Sequence, residues 1–140
     1  MKMHFNLNSP TNLIFGSGSI NTLGSHKMPG KKALLLMSAG KSAKISGAYD
    51  IVISQLKQAD TEIFEFAGIM ENPTKNIIME AASFAKENGC DFIIALGGGA
   101  VLDSATAVSA MATNPGDLWD YVNGGTGKGQ PLIHAGLPIV

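Results

Sequence analysis

Two stretches of this chain are apolar without interruption. One is Ala33-Leu34-Leu35-Leu36-Met37, entered from Lys32. The other is Phe92-Ile93-Ile94-Ala95-Leu96, entered from Asp91. Runs of this length read as strands buried on both faces, the kind found in parallel sheets. A further strand is expected at residues 61–66. Elsewhere the apolar positions recur at helical spacing. Ala48, Val52, Leu56 and Ala59 mark an amphipathic helix from Ser46 onward, and Ile77, Ala81 and Phe84 line another. Asn72 is expected to cap that second helix, with Pro73 at its first position and Gly89 closing it. Residues 100–112 predict a third helix, nearly apolar all round and so deeply packed. Pro115 and Gly116 break it. A helical turn at residues 117–122 and a mobile hairpin or loop at residues 124–129 follow. Leu137-Pro138-Ile139-Val140 reads as the start of another strand. At the front, residues 4–8 and 12–15 alternate around Ser9-Pro10-Thr11, which predicts an N-terminal β-hairpin. Gly16-Ser17-Gly18 then opens a short helix at residues 19–23, and residues 24–30 form a loop.

A hairpin, then strand and helix in alternation, predicts an α/β fold: a parallel sheet with helices on both faces. Such sheets gather ligands at the carboxyl ends of their strands. The segments to search are therefore the three strand exits, residues 37–44, 66–72 and 96–103.

Composition narrows the field. With 140 residues, 45% hydrophobic and 15% charged, the chain suits one domain with a real core. A net charge of −1 without a basic run argues against nucleic acid as a partner. No apolar run approaches the ~18–20 residues of a membrane span, and no signal-peptide core is visible at the start. The single cysteine, Cys90, forms no internal disulfide, which makes the cytoplasm the expected location. It reads as a small buried hydrophobe. His4, His26 and His134 lack metal-ligand spacing and are expected to be structural or surface residues. Trp119 is expected to pack a loop against the sheet, with an adenine contact as the alternative. The seven methionines read as core filler.

The strongest chemical signal is Gly97-Gly98-Gly99-Ala100, between a buried strand and a buried helix. Without Cβ atoms the backbone turns sharply and approaches a ligand closely. The first N–H groups of the helix and its dipole favour a pyrophosphate there. Asp103, one turn in, is placed to accept a hydrogen bond from a ligand hydroxyl or amide. The competing reading is a turn that only folds the helix back on the strand. The run is not the G-x-G-x-x-G fingerprint, whose last glycine is here Leu102. Gly40-Lys41-Ser42 resembles the end of a phosphate-binding loop, but Leu35 stands where that motif needs its first glycine. Gly127-Lys128 fails in the same way at Val122.

Several segments together carry a family resemblance. They are Pro10-Thr11-Asn12-Leu13-Ile14-Phe15-Gly16-Ser17-Gly18, Glu71-Asn72-Pro73-Thr74, the stretch from Gly89 to Ala105 around the glycine run, and Asn114-Pro115-Gly116-Asp117-Leu118-Trp119-Asp120-Tyr121. In order and spacing they resemble the iron-containing (group III) alcohol dehydrogenases, within the dehydroquinate synthase-like superfamily. The resemblance implies a Rossmann-like, dinucleotide-binding domain over residues 1–140, cut at the start of a strand near 137–140. It implies that Gly97, Gly98, Gly99 and Ala100 cradle the pyrophosphate of NAD(P), with Asn72 near the adenosine end and Asp103 near the nicotinamide side. It also implies a helical carboxyl-terminal domain, absent here, that holds Fe2+ or Zn2+. No catalytic or metal residue is expected within this chain.

Three departures from the family pattern matter. Ala100 replaces the usual serine, and Thr106 a frequent lysine. The first parallel strand exits through Met37-Ser38-Ala39-Gly40-Lys41 without the aspartate common in NAD-preferring members. A missing carboxylate removes repulsion against a 2′-phosphate, which Ser38 or Lys41 would meet, so NADP is expected to serve at least as well as NAD. The function expected of the intact parent is hydride transfer between NAD(P)H and an alcohol or aldehyde, by a metal-dependent oxidoreductase. The 140-residue chain alone is expected to be inactive. A stand-alone nucleotide-binding module, or a polyol dehydrogenase or lyase of the same superfamily, are the alternatives. A homodimer is expected through the amino-terminal hairpin at a sheet edge.

Overall fold

The computed structural model describes residues 9–140. A 3₁₀ helix, Ser19–Ser25, leads to strand β1, Lys32–Ser38. Helices α1, Ser42–Ile45, and α2, Ala48–Gln58, precede strand β2, Glu62–Ile69. Helix α3, Lys75–Glu87, strand β3, Phe92–Leu96, helix α4, Gly99–Thr113, and helix α5, Leu118–Tyr121, complete the order.

The uncharged run from Ala33 to Met37 becomes the central strand. It pairs in parallel with β2, from Lys32 opposite Glu62, and with β3, from Ala33 opposite Phe92, so the order is β2-β1-β3. Leu34, Leu36 and Ile93 face α3 and α4. Ala33, Leu35, Met37, Phe92 and Ile94 face α2 and the 3₁₀ helix. Opposite faces follow from topology. The crossover from β1 to β2 and that from β2 to β3 run in opposite directions along the sheet, so one handedness puts their helices on opposite sides.

Helix α3 ends as its sequence demands. Gly89 takes φ +64, its N–H donates to the Lys86 carbonyl, and the Cys90 N–H donates to that of Ala85. This is a Schellman closure, in which a left-handed residue lets two end carbonyls be satisfied. Its start differs from expectation. Thr74, extended at φ −91 and ψ 160, precedes the first helical residue, and neither Asn72 nor Pro73 enters the helix. Asn72 instead lies in a bend at the strand exit, two residues before the cap position that Thr74 takes.

Two other expectations change. Asn12–Phe15 forms no strand: Leu13 is 81% and Phe15 95% exposed, and alternation alone makes no ladder without a partner. The other arm of that hairpin, residues 4–8, lies outside the described residues, as does His4. Helix α1 was not expected. Of the hairpin or loop expected at residues 124–129, the structure shows a hairpin-like bonded turn. The Lys128 and Gln130 N–H groups donate to the carbonyls of Trp119 and Asp120, and the Trp119 indole N–H donates to Thr126 at 2.8 Å. Trp119 thus pins this turn.

The last residues enter the sheet as expected. The Ile93 N–H donates to the Pro138 carbonyl and the Val140 N–H to that of Ile93, the first rungs of a parallel strand beside β3. Buried Asn114 aims this segment. Its amide donates to the carbonyls of Ala110 and His134, and its oxygen accepts the N–H groups of Ile133 and His134, both at 2.8 Å. Among the described residues no helix is long and apolar enough to cross a membrane.

Candidate functional site

The three expected exits converge. Between β1 and β3 the chain path reverses direction, and there the carboxyl ends of all three strands border one cleft of about 690 Å³. Its walls are Ser38, Ala39, Gly40 and Ser42 after β1, Ile69 to Asn72 after β2, and Gly98 to Val101 after β3. The Ala39 N–H donates to the Ile69 carbonyl at 2.8 Å, which ties the first two exits together.

The glycines of the third exit do different work. A Cβ on Gly97 would stand 2.5 Å from a γ-methyl of Val101 and 2.8 Å from its Cβ. Gly97 is thus needed for α4 to fold back tightly. A Cβ on Gly98 or Gly99 would meet nothing within 4 Å. Gly98 is extended, at φ −85 and ψ −168, a conformation open to other residues, and its carbonyl accepts the N–H groups of Val101 and Leu102 at 2.9 and 3.1 Å. The N–H groups of Gly99 and Ala100, the first two helical residues, have no acceptor among the described residues. These donors stand at the positive end of a 15-residue helix, beside the cleft.

Of the residues singled out from the sequence, Ser38, Asn72, Gly98, Gly99 and Ala100 line the cleft. Gly97, itself exposed, and Asp103 are not part of its lining. Asp103 is four residues beyond Gly99, about 6 Å further along the helix, and exposed. The sequence reading missed Glu71. It is an exposed residue of the cleft lining, and the only ionisable one among the residues that line it. The signal was available: Glu71 is the last residue before Asn72 in an exit already marked for search.

A second cleft, of about 440 Å³, shares Ser38, Ala39 and Gly40 and includes Lys41 and Lys44. The Lys44 ammonium lies 4.9 Å from the centre of the Tyr49 ring, and the Tyr49 hydroxyl donates to Glu65 at 2.7 Å. That bond raises the Tyr49 pKa above its ordinary value.

No group of three or more His, Cys, Asp or Glu among the described residues could hold a metal. His26 and His134 are exposed. Burial pushes the Cys90 thiol up to about 11, with Asp91 adding to the shift, which leaves it a protonated, unreactive hydrophobe.

Comparison with known proteins agrees with this architecture. A family model described as iron-containing alcohol dehydrogenase matches residues 10–140. A probable NADH-dependent butanol dehydrogenase of Bacillus subtilis is 42% identical over 88% of this chain and 31% of its own length. An NADPH-dependent aldehyde reductase of Escherichia coli is 35% identical over 97% of this chain and 35% of its own. The crystal structure of an NADH-dependent butanol dehydrogenase from Thermotoga maritima superposes with a TM-score of 0.85. It is 34% identical, and the match covers 97% of this chain and 33% of that one. The chain therefore spans about a third of the length of these relatives.

Proposed function

Because this chain belongs to the iron-containing alcohol dehydrogenase family, we propose that it is the dinucleotide-binding region of an oxidoreductase that moves hydride between NAD(P)H and an alcohol or aldehyde. The observation that carries this reading is the pair of unpartnered N–H groups at Gly99 and Ala100, delivered by a glycine turn into a cleft bounded by three strand exits.

In this reading the Gly99 and Ala100 amides bind the pyrophosphate, and bare Gly98 lets it approach. The adenosine half lies over the exits of β1 and β2, where Ser38 and Asn72 offer a hydroxyl and an amide. The nicotinamide half runs toward β3 and the strand beyond it. Asp103 touches only a ligand that extends past the cleft wall, on that side. The bound nicotinamide supplies a two-electron carrier that gives or takes the hydride. This chain's own part is to bind, orient and hold that carrier. Its described residues do not fit a catalytic metal.

The relatives divide between NADH and NADPH by name, and both forms are proposed as ligands. A cytoplasmic location fits a single cysteine that is buried and reduced. A homodimer is supported by the exposed apolar side chains Leu13, Ile14 and Phe15, and light scattering tests it: a monomer at high micromolar concentration overturns it.

The test of the main reading is calorimetric titration with NAD(H) and NADP(H). Saturable binding of either, lost in Gly98→Val, is expected. Binding that survives in a folded Gly98→Val protein would mean that the glycine run is a turn and nothing more.

A further inference from the structure

The strand order sets the distances in the cleft. β1 lies between β2 and β3, so the exits of β2 and β3 are two strand spacings apart, roughly 10 Å. That is about the reach from a pyrophosphate at Gly99 and Ala100 across its adenosine ribose. Glu71 stands at the β2 exit, exposed, in the same cleft, and makes no ion pair among the described residues. Its carboxylate has acceptor capacity to spare for ribose hydroxyls, and a like charge set against it would be repelled. No cation lines this cleft to offset the carboxylate. Lys41 and Lys44 border the neighbouring one, where Lys44 sits over Tyr49.

We propose that Glu71 accepts hydrogen bonds from the adenosine ribose hydroxyls and disfavours a 2′-phosphate there, so that this protein prefers NAD(H) to NADP(H). The inference rests on the dinucleotide reading above. It also revises the expectation drawn from the acid-free β1 exit. The β1 exit carries no carboxylate, but the topology brings the β2 exit, with Glu71, into the same cleft.

The experiment is to measure dissociation constants for NAD(H) and NADP(H) by calorimetry in the unmodified protein, E71Q and E71R. The unmodified protein is expected to favour NAD(H). E71Q is expected to shift the ratio of the two constants toward NADP(H) about tenfold, and E71R to reverse it. The shift should shrink at 1 M salt, which a loss of local structure would not produce. If the unmodified protein binds neither dinucleotide, the underlying reading falls and this inference with it. If it binds both but favours NADP(H), or if the ratio is unmoved in both variants, Glu71 has no such role and the dinucleotide reading stands.

Discussion

Substitution of neighbouring glycines separates packing from binding in the turn before α4. Gly97→Ala puts a methyl group 2.5 Å from a γ-methyl of Val101, a stiff β-branched residue that is only 2% exposed. Buried Val101 has little room to yield, and overpacking of this kind costs about 1–3 kcal/mol. At about 4 °C per kcal/mol for a chain of this size, the melting temperature should fall by about 4–12 °C. The Cβ of Gly98→Val meets no atom within 4 Å, and the position needs no positive φ. Its stability cost is the replacement of one tolerated helix-capping residue by a poor one, about 1 kcal/mol or less. Its valine occupies the space in which a pyrophosphate would lie against the Gly99 and Ala100 amides. Loss of two charge-assisted hydrogen bonds, at about 1.5–3 kcal/mol each, weakens dinucleotide binding at least about a hundredfold. Thermal unfolding and calorimetry on both variants give the answer. The expected pattern is an unstable variant at position 97 and a stable, non-binding one at 98. Equal destabilisation at both positions, with affinity retained at 98, would refute the assignment of separate roles.

Asn114→Ala removes hydrogen bonds to two carbonyls and two N–H groups in a site only 1% exposed. A cost of about 3 kcal/mol or more is expected in denaturant unfolding, with faster amide exchange at Ile133 and His134. The Cys90 thiol, held near 11, should resist disulfide reagents at pH 8 until the protein is unfolded; rapid native-state labelling would contradict its burial. Bonds from Lys75 and the Trp119 N–H lower the pKa of Asp117, and bonds from Lys128 and the Asp117 N–H lower that of Asp120. Carboxyl groups depressed in the fold stabilise it above their ordinary pKa, and that contribution is lost as pH falls through the depressed values. The Trp119 emission should therefore shift on acidification below the normal carboxylate range, before the core melts. Residues 1–140 supplied with iron or zinc, dinucleotide and short alcohols should show no metal-dependent turnover, because the described residues offer no metal grouping.

The sheet was legible because β1 and β3 are uninterrupted apolar runs, a pattern that few other environments tolerate. Gly89 was legible for a similar reason, since a helix end needing φ +64 selects glycine. Asn12–Phe15 shows the converse. Alternation states which side of a strand would be apolar, but pairing depends on a partner that local sequence does not name. Asn72 and Pro73 look like a helix start, but the helix begins after Thr74 and Asn72 lies in a bend of the cleft wall. Of the residues that line the cleft, Gly98, Gly99 and Ala100 stood out as a glycine turn at a strand exit, and Asn72 and Ser38 through the family resemblance. Glu71 was passed over although its exit was marked, because that exit shares a cleft with the other two only through β2 lying beside β1, a fact of topology. Gly97 was grouped with its neighbours, and only the position of the Val101 side chain tells it apart.

The placement of β1 has a consequence for synthesis on the ribosome. Both its partners come later in the chain, and the second is complete only at Leu96, 58 residues after Ser38. At ~5–20 residues per second, the nascent chain carries Ala33 to Met37 without its full complement of partners for roughly 3–12 s. Such a segment is apolar, uncharged and free of glycine and proline, and left exposed it is open to association with other chains. Lys31 and Lys32 directly precede it, and Lys27 and Pro29 lie just upstream. Charge and proline in those places act as gatekeepers, keeping the strand from pairing with a neighbouring nascent chain while it waits for its own.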